Sequence, residues 1–269
     1  MKQGKYKRLK LLPDFFINCF GNRAVIFQLV RVELTARYRR TLVGYGWTLL
    51  NPLFTMLVLT IVFSTLFNLP FDEFGVFLIA GMMPWLMFLN TVGKSLSSFT
   101  ANEAILKKVA INKTVFPVAA STSVLLDSIF SFFAFLLVIF ALGGVGSISL
   151  LFIPFAYLLL YIFCVGVSFA ISIYATFYRD LNQIIPILLQ GMFFLTPIIY
   201  RPESLVGKAY ILVQLNPLVP FLELFRVPIL SGQFPDVDLI LYCLILSLIS
   251  FFVGLAVYHK NHDRLTISL

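Results

Sequence analysis

SIFSFFAFLLVIFALGGVGSISLLFIPFAYLLLYIFCVGVSFAISIYATFY, residues 128–178, contains no Asp, Glu, Lys or Arg. A helix crosses a hydrocarbon core of roughly 30 Å with about 20 apolar residues. The stretch is therefore long enough to cross twice, with Gly143-Gly144-Val145-Gly146-Ser147 as the reversal. Residues 41–71, 74–93, 181–200 and 239–259 are equally free of charge. A water-soluble domain of this length would carry charges on its outer faces. The pattern predicts an all-α integral membrane protein of several spans.

Composition agrees: of 269 residues 60% are hydrophobic and 12% charged, and 30 are Phe. Reading along the chain gives six transmembrane helices, roughly 47–67, 74–92, 115–141, 150–178, 184–200 and 239–258. Residues 1–46 form a cytoplasmic N-terminal segment and residues 47–269 the six-span domain. Met1-Lys2-Gln3-Gly4-Lys5 lacks the apolar core and cleavage site of a signal peptide. Cys19, Cys164 and Cys243 are an odd set, two of them within apolar runs, which argues against a disulfide framework.

Six crossings place both termini on one side, and Lys and Arg decide which. Seventeen of the 20 basic residues fall before the first span, between spans two and three, between spans four and five, or at the C-terminus. Only Arg201, Lys208 and Arg226 fall on the other side. Both termini are thus expected in the cytoplasm. The net charge of +8 reports topology rather than affinity for nucleic acid.

Two segments outside the spans have patterns of their own. In residues 22–40, Ile26, Phe27, Val30, Leu34 and Tyr38 fall within about 120° of a helical wheel, with Arg37 inside the same arc. Glu33 and Arg37 have the spacing of a helical ion pair. Such an Arg-rich amphipathic helix lies in the interface, as a plain anchor or as a moving gate element. Residues 200–239 contain five prolines around two apolar pieces, 205–215 and 219–230, each too short to span. They read as re-entrant or interfacial helices, or as a folded periplasmic hairpin.

Chemical candidates are few. His259 and His262, the two histidines, stand near the C-terminus, so no His-based metal or base cluster is expected within the spans. Gly93-Lys94-Ser95 resembles the end of a phosphate-binding loop, but the required earlier glycine is Phe88. Asp127 lies roughly 15 Å into the third span, about ten residues past Pro117. With Ser123 and Ser131 it forms one polar stripe that must face the bundle or a wet path. Helix packing and transport both account for it, and no partner for the carboxylate is evident.

Taken in order, the pieces resemble the permease subunit of type-2 ABC exporters, the group that exports bacterial surface polysaccharides. The marks are Arg37-Tyr38-Arg39-Arg40, Gly44-Tyr45-Gly46-Trp47, Asn51-Pro52, Gly81 with Trp85, and Asn102 with Lys107-Lys108. RDLNQIIPILLQGMFFLTPIIY (179–200) and LNPLVPFLELFR (215–226) follow. One departure is visible: Ile111-Asn112 stands where the family often has Phe-Pro, although Pro117 matches.

The resemblance implies a homodimer in the bacterial inner membrane, with two copies of a separate ATPase subunit on its cytoplasmic face. It implies no cofactor on this chain, with ATP and Mg on the partner, and a transport subunit rather than an enzyme. Arg31, Glu33, Arg37, Arg39 and Arg40 become an interfacial gate helix. Asn102, Glu103, Ile105, Leu106, Lys107 and Lys108 become the ATPase-coupling helix, and the 205–230 pieces re-entrant outer helices. The cargo implied is a lipid-linked glycan, most of all O-antigen, within a surrounding of membrane lipid. Trp47, Trp85, Asp127, Tyr174, Phe193, Phe194 and Tyr200 are candidates for the path, since rings stack on sugar faces; each aromatic is equally a packing or interfacial residue. Exporters of teichoic acid, capsule, small lipids or drugs share the architecture. A membrane enzyme of lipid-linked sugars is the rival of a different class, and it lacks a catalytic cluster.

Overall fold

A computed structural model describes residues 11–36, 44–109, 111–144 and 146–268. All regular structure in them is helical. Five helices are long and apolar enough to cross a membrane. Among these are α3 (Trp47–Phe67), α4 (Phe71–Ser97), α6 (Val115–Ala141) and α7 (Ile153–Phe177), the last preceded by a 3-10 turn at Ile148–Phe152. The fifth is α11 (Val237–Ser268), which carries the chain past Tyr258 through His259.

The expected fifth crossing differs. Helix α8 (Leu181–Leu195) has 15 residues and ends before Thr196, whose backbone is extended at φ −90 and ψ 127. Pro197 follows, and a residue before proline is driven out of the helical region. Residues 196–200 therefore continue without helix. The second crossing is longer than expected at both ends. Asp72 and Glu73 lie in the first turn of α4, where acidic groups favour the positive end of the helix dipole. Lys94, expected in a loop, lies in its last turn.

Helix α4 is the axis of the bundle. It packs on α3, α6, α7, α8 and α10 (Val219–Arg226), and it is buried along most of its length. Helices α7 and α11 form the tightest seam. A methyl added at Gly166 would stand 2.2 Å from the Ser250 carbonyl oxygen, and one at Gly254 2.0 Å from that of Gly166. Small residues let the two backbones approach closely, which is how helices gain contact where lipid offers no hydrophobic drive. Ser247 and Ser250 fasten the seam by donating to the Leu159 and Phe163 carbonyls, each at 2.8 Å.

At one end of the bundle lie α1 (Leu11–Gly21), α2 (Arg23–Ala36) and α5 (Glu103–Lys108). A second apolar cluster around Phe99, Phe116, Phe169 and Tyr258 gathers Phe15, Ile26, Leu29 and Leu106 from these three helices. Helix α1 extends the helical N-terminal region beyond what the periodicity of 22–40 predicts. At the other end α9 (Lys208–Gln214) meets α10 at 76°, the latter continued by a π turn at Val227–Ser231. Such a bent pair is a broken span or a re-entrant loop by its length and composition.

Candidate functional site

Two adjoining cavities open beside α4. The first, about 660 Å³, lies among α3, α4, α6 and α7 and is lined by Trp47, Asn51, Met82, Leu86, Asn90 and Asp127, among others. The second, about 980 Å³, lies among α3, α4 and α8 and is lined by Trp85, Lys94, Gln190, Phe193 and Phe194, among others. They share Thr55, Met82, Leu86, Leu89 and Asn90 as a common wall. Met82, Leu86, Asn90 and Lys94 follow one another at four-residue steps, so a single face of α4 forms this wall. The lining is apolar and aromatic, with a few amides, hydroxyls and two charged groups.

The expected path residues separate into three groups. Trp47 and Asp127 meet in the first cavity. Trp85, Phe193 and Phe194 meet in the second, where Trp85 packs on Phe193 at 5.7 Å between ring centroids and Phe193 on Phe194 at 5.3 Å. Tyr200 lies apart, beside Phe77 and Arg201 in a smaller cavity of about 260 Å³, its hydroxyl donating to the Phe194 carbonyl at 3.0 Å. Tyr174 is half-exposed on α7 and lines none of the three.

Asp127 has a partner after all. Lys94 Nζ stands 4.0 Å from its Oδ2. The same ammonium donates to Glu33 Oε2 at 3.0 Å and to Ser123 Oγ at 2.6 Å, and Ser123 Oγ lies 2.6 Å from that Glu33 oxygen. The polar stripe on α6 is thus divided. Ser123 faces α2, while Ser131 donates to the Asp127 carbonyl and lines the first cavity. Glu33 turns to Lys94, whereas Arg37, its expected partner, lies outside the described residues together with Arg39 and Arg40. Arg31 is exposed on α2. Sequence reasoning missed Lys94 because the second span, 74–92, stops before it and the Gly93-Lys94-Ser95 run reads as a loop. The four-residue series Met82, Leu86, Asn90, Lys94 was the signal that would have found it.

The coupling segment is a single short helix, α5. Asn102 precedes it and donates to the Ser98 carbonyl at 2.9 Å. Glu103 and Lys107 form an ion pair, and the hydrogen bond from Lys107 holds the Glu103 carboxyl below its ordinary range. The apolar pair splits: Ile105 is 38% exposed, while Leu106 packs into the second apolar cluster. Lys108 is exposed beside Ile105. Among the described residues no three His, Cys, Asp or Glu side chains converge as a metal site.

At the opposite end, Arg226 is 2% exposed. It donates from Nη2 to the carbonyls of Pro197 and Ile198, the latter at 3.3 Å, and from Nη1 to Glu223 Oε1 at 3.2 Å. Asn216 donates to Thr196 Oγ1 at 2.8 Å. The bent hairpin thereby grips the non-helical end of α8.

The family described as ABC-2 type transporter matches residues 24–230. An O-antigen export system permease protein RfbA of Myxococcus xanthus is 24% identical over 92% of this chain and 96% of its own length. One from Klebsiella pneumoniae is 29% identical over 90% of this chain and 95% of its own. The polysialic acid transport protein KpsM of Escherichia coli is 23% identical over 88% and 93%. With its long apolar helices and a family match running from α2 into the π turn after α10, the chain belongs to the ABC-2 type transporter family as a membrane-spanning permease.

Proposed function

We propose that the chain is the membrane half of an ATP-driven exporter of lipid-linked polysaccharide, of the O-antigen kind, in the bacterial inner membrane. It works as a homodimer with two copies of a separate ATPase subunit, which carry ATP and Mg; this chain binds no cofactor. Both termini, α5 and the N-terminal segment 1–46 lie in the cytoplasm, ahead of the six-span domain 47–269, a reading supported by the clustering of basic residues. One observation carries the reading. Relatives that align with nearly the whole chain include permeases named for O-antigen export, and the cavities of this chain suit such cargo.

The fit is chemical. Trp47, Phe193 and Phe194 offer ring faces on which sugars stack, Trp85 backs Phe193, and the charged groups of the lining are Lys94 and Asp127. Helices α3 and α8 flank the cavities and expose Phe54, Leu57, Ile61, Ile187, Leu188 and Phe194, among others. A second copy across this face encloses the path between two such linings. On α5, exposed Ile105 beside Lys107 and Lys108 offers an apolar contact with charges that fix its register on the ATPase.

The test is complementation. The chain and its cognate ATPase are expressed in a strain lacking its O-antigen export permease but still making the lipid-linked polymer. Surface O-polysaccharide is then scored beside the amount of assembled complex. Export restores the reading; complex without export overturns it. Capsule is the second reading, favoured by the names of the polysialic acid and meningococcal capsule relatives. The same assay in a capsule-export mutant separates the two.

A further inference from the structure

Helix α2 lies along α6 with one side turned outward. Phe27, Gln28, Arg31 and Val32 are exposed, and Val30 is its one buried side chain among the described residues. Ile26 and Leu29 are half-buried. So are Val25 and Leu34, and beside this apolar contact runs a polar one: Glu33 accepts from Lys94 of α4 and from Ser123 of α6. The Lys94 ammonium also faces Asp127 of α6, so one cation stands between carboxylates from two other helices. Lys94 lines the larger cavity and Asp127 the smaller.

We propose that Lys94 is a positioning residue for transport, a latch that holds α2 on α4 and α6 beside the cavities, and that α2 leaves the bundle when this ammonium is withdrawn. The latch follows from the contacts alone, and its part in transport rests on the exporter reading above. Its sign is set by charge. With Lys94 in place each carboxylate sees a cation. Without it, Glu33 is brought toward Asp127 with that cation gone, and like charges oppose docking. Removal of Lys94 therefore does more than delete a hydrogen bond; it adds a repulsion whose second partner is Asp127.

That logic gives a ranked test by hydrogen–deuterium exchange of the full chain in lipid nanodiscs, read on peptides from residues 23–36. Lys94→Met is expected to raise exchange in α2 about tenfold, with the α7–α11 seam unchanged, since local opening tracks the contacts that hold a segment. Lys94→Arg, which keeps the cation, is expected to stay near wild type. Glu33→Gln raises exchange less than Lys94→Met, because it removes the repelled group as well as the bond. Asp127→Asn added to Lys94→Met returns part of the protection. Unchanged α2 exchange in Lys94→Met, or further loss on adding Asp127→Asn, overturns the latch. Should Lys94→Met fail to fold, Glu33→Gln decides: faster α2 exchange supports the latch and wild-type exchange overturns it. No cargo enters this readout, so its outcome is separate from the fate of the exporter reading.

Discussion

The guanidinium carbon of Arg226 lies 4.0 Å from the centroid of the Phe77 ring, joining the bent hairpin to α4 through a cation on an aromatic face. The same side chain supplies donors to the Pro197 and Ile198 carbonyls. Those carbonyls follow the point where proline ends α8, so no helical N–H reaches them. Irregular backbone at membrane depth persists only where protein satisfies it. A methyl at Gly81 would lie 3.1 Å from Arg226 Nη2, so the glycine leaves the space that the guanidinium occupies.

Replacing Arg226 is therefore expected to be costly. Arg226→Met keeps bulk and strands two carbonyls, a loss of about 2–5 kcal/mol. Arg226→Lys recovers part, because an ammonium cannot reproduce the planar fork. Thermal unfolding in detergent should rank wild type above Lys above Met. Equal midpoints for all three would mean that the hairpin is held by its apolar contacts.

The α7–α11 seam gives a second prediction. Gly166→Ala sets a methyl against backbone, which cannot rotate away as a side chain can. The cost is expected at or above the upper end of the about 1–3 kcal/mol typical of overpacking. Gly191, with nothing near its added methyl, is the control, and Gly191→Ala should unfold at the wild-type temperature.

Helix α5 separates two effects that its sequence joins. Ile105→Asp should abolish co-purification of the ATPase subunit while leaving the chain's unfolding temperature intact, because Ile105 faces outward. Leu106→Asp should lower that temperature too, since it places a charge in the cluster around Phe99 and Phe116. An Ile105→Asp chain that still binds its ATPase would move the coupling contact elsewhere.

Topology is checked by cysteine labelling in a background free of native cysteine. Cysteines at Gly4 and Ser268 should react in intact cells only with membrane-permeant reagents. One at Ser147, in the turn between α6 and the 3-10 segment before α7, should react with impermeant reagent as well. Impermeant labelling at Ser268 would overturn the arrangement with both ends inside.

Long apolar stretches made the long helices legible, and α3 and α6 begin and end at the bounds expected of the first and third spans. Membrane solvation imposes that signal on every residue of a span, so it survives without any tertiary knowledge. What a run cannot record is a charge that a partner has neutralised. Lys94 belongs to α4 because Glu33, 61 residues earlier, and Asp127 stand against it, and those contacts exist only once the helices pack. The break at Thr196-Pro197 was local and readable, yet the apolar run through it hid the end of α8. For the path, Trp85, Phe193 and Phe194 converge while Tyr174 does not. An aromatic's place on a helix face is set by neighbours that periodicity alone does not identify.

Asp127 is the remaining test of what the first cavity does. Its Oδ2 is 4.0 Å from Lys94, whereas Glu33 is at 3.0 Å and Ser123 at 2.6 Å, so the ammonium is held chiefly by the other two. Asp127→Asn keeps shape and hydrogen-bonding capacity and removes only the charge. With Lys94 still paired to Glu33, the fold and the docking of α2 should be preserved, and export should continue near the wild-type level. Asp127→Leu also removes the polar group from the cavity wall and serves as the stronger perturbation. Surface polysaccharide and assembled complex are to be measured together for both variants. Lost export from a fully assembled Asp127→Asn complex would show that the carboxylate's charge acts on the cargo itself, and the first cavity would then be a charged station on the path rather than a packed flank of it.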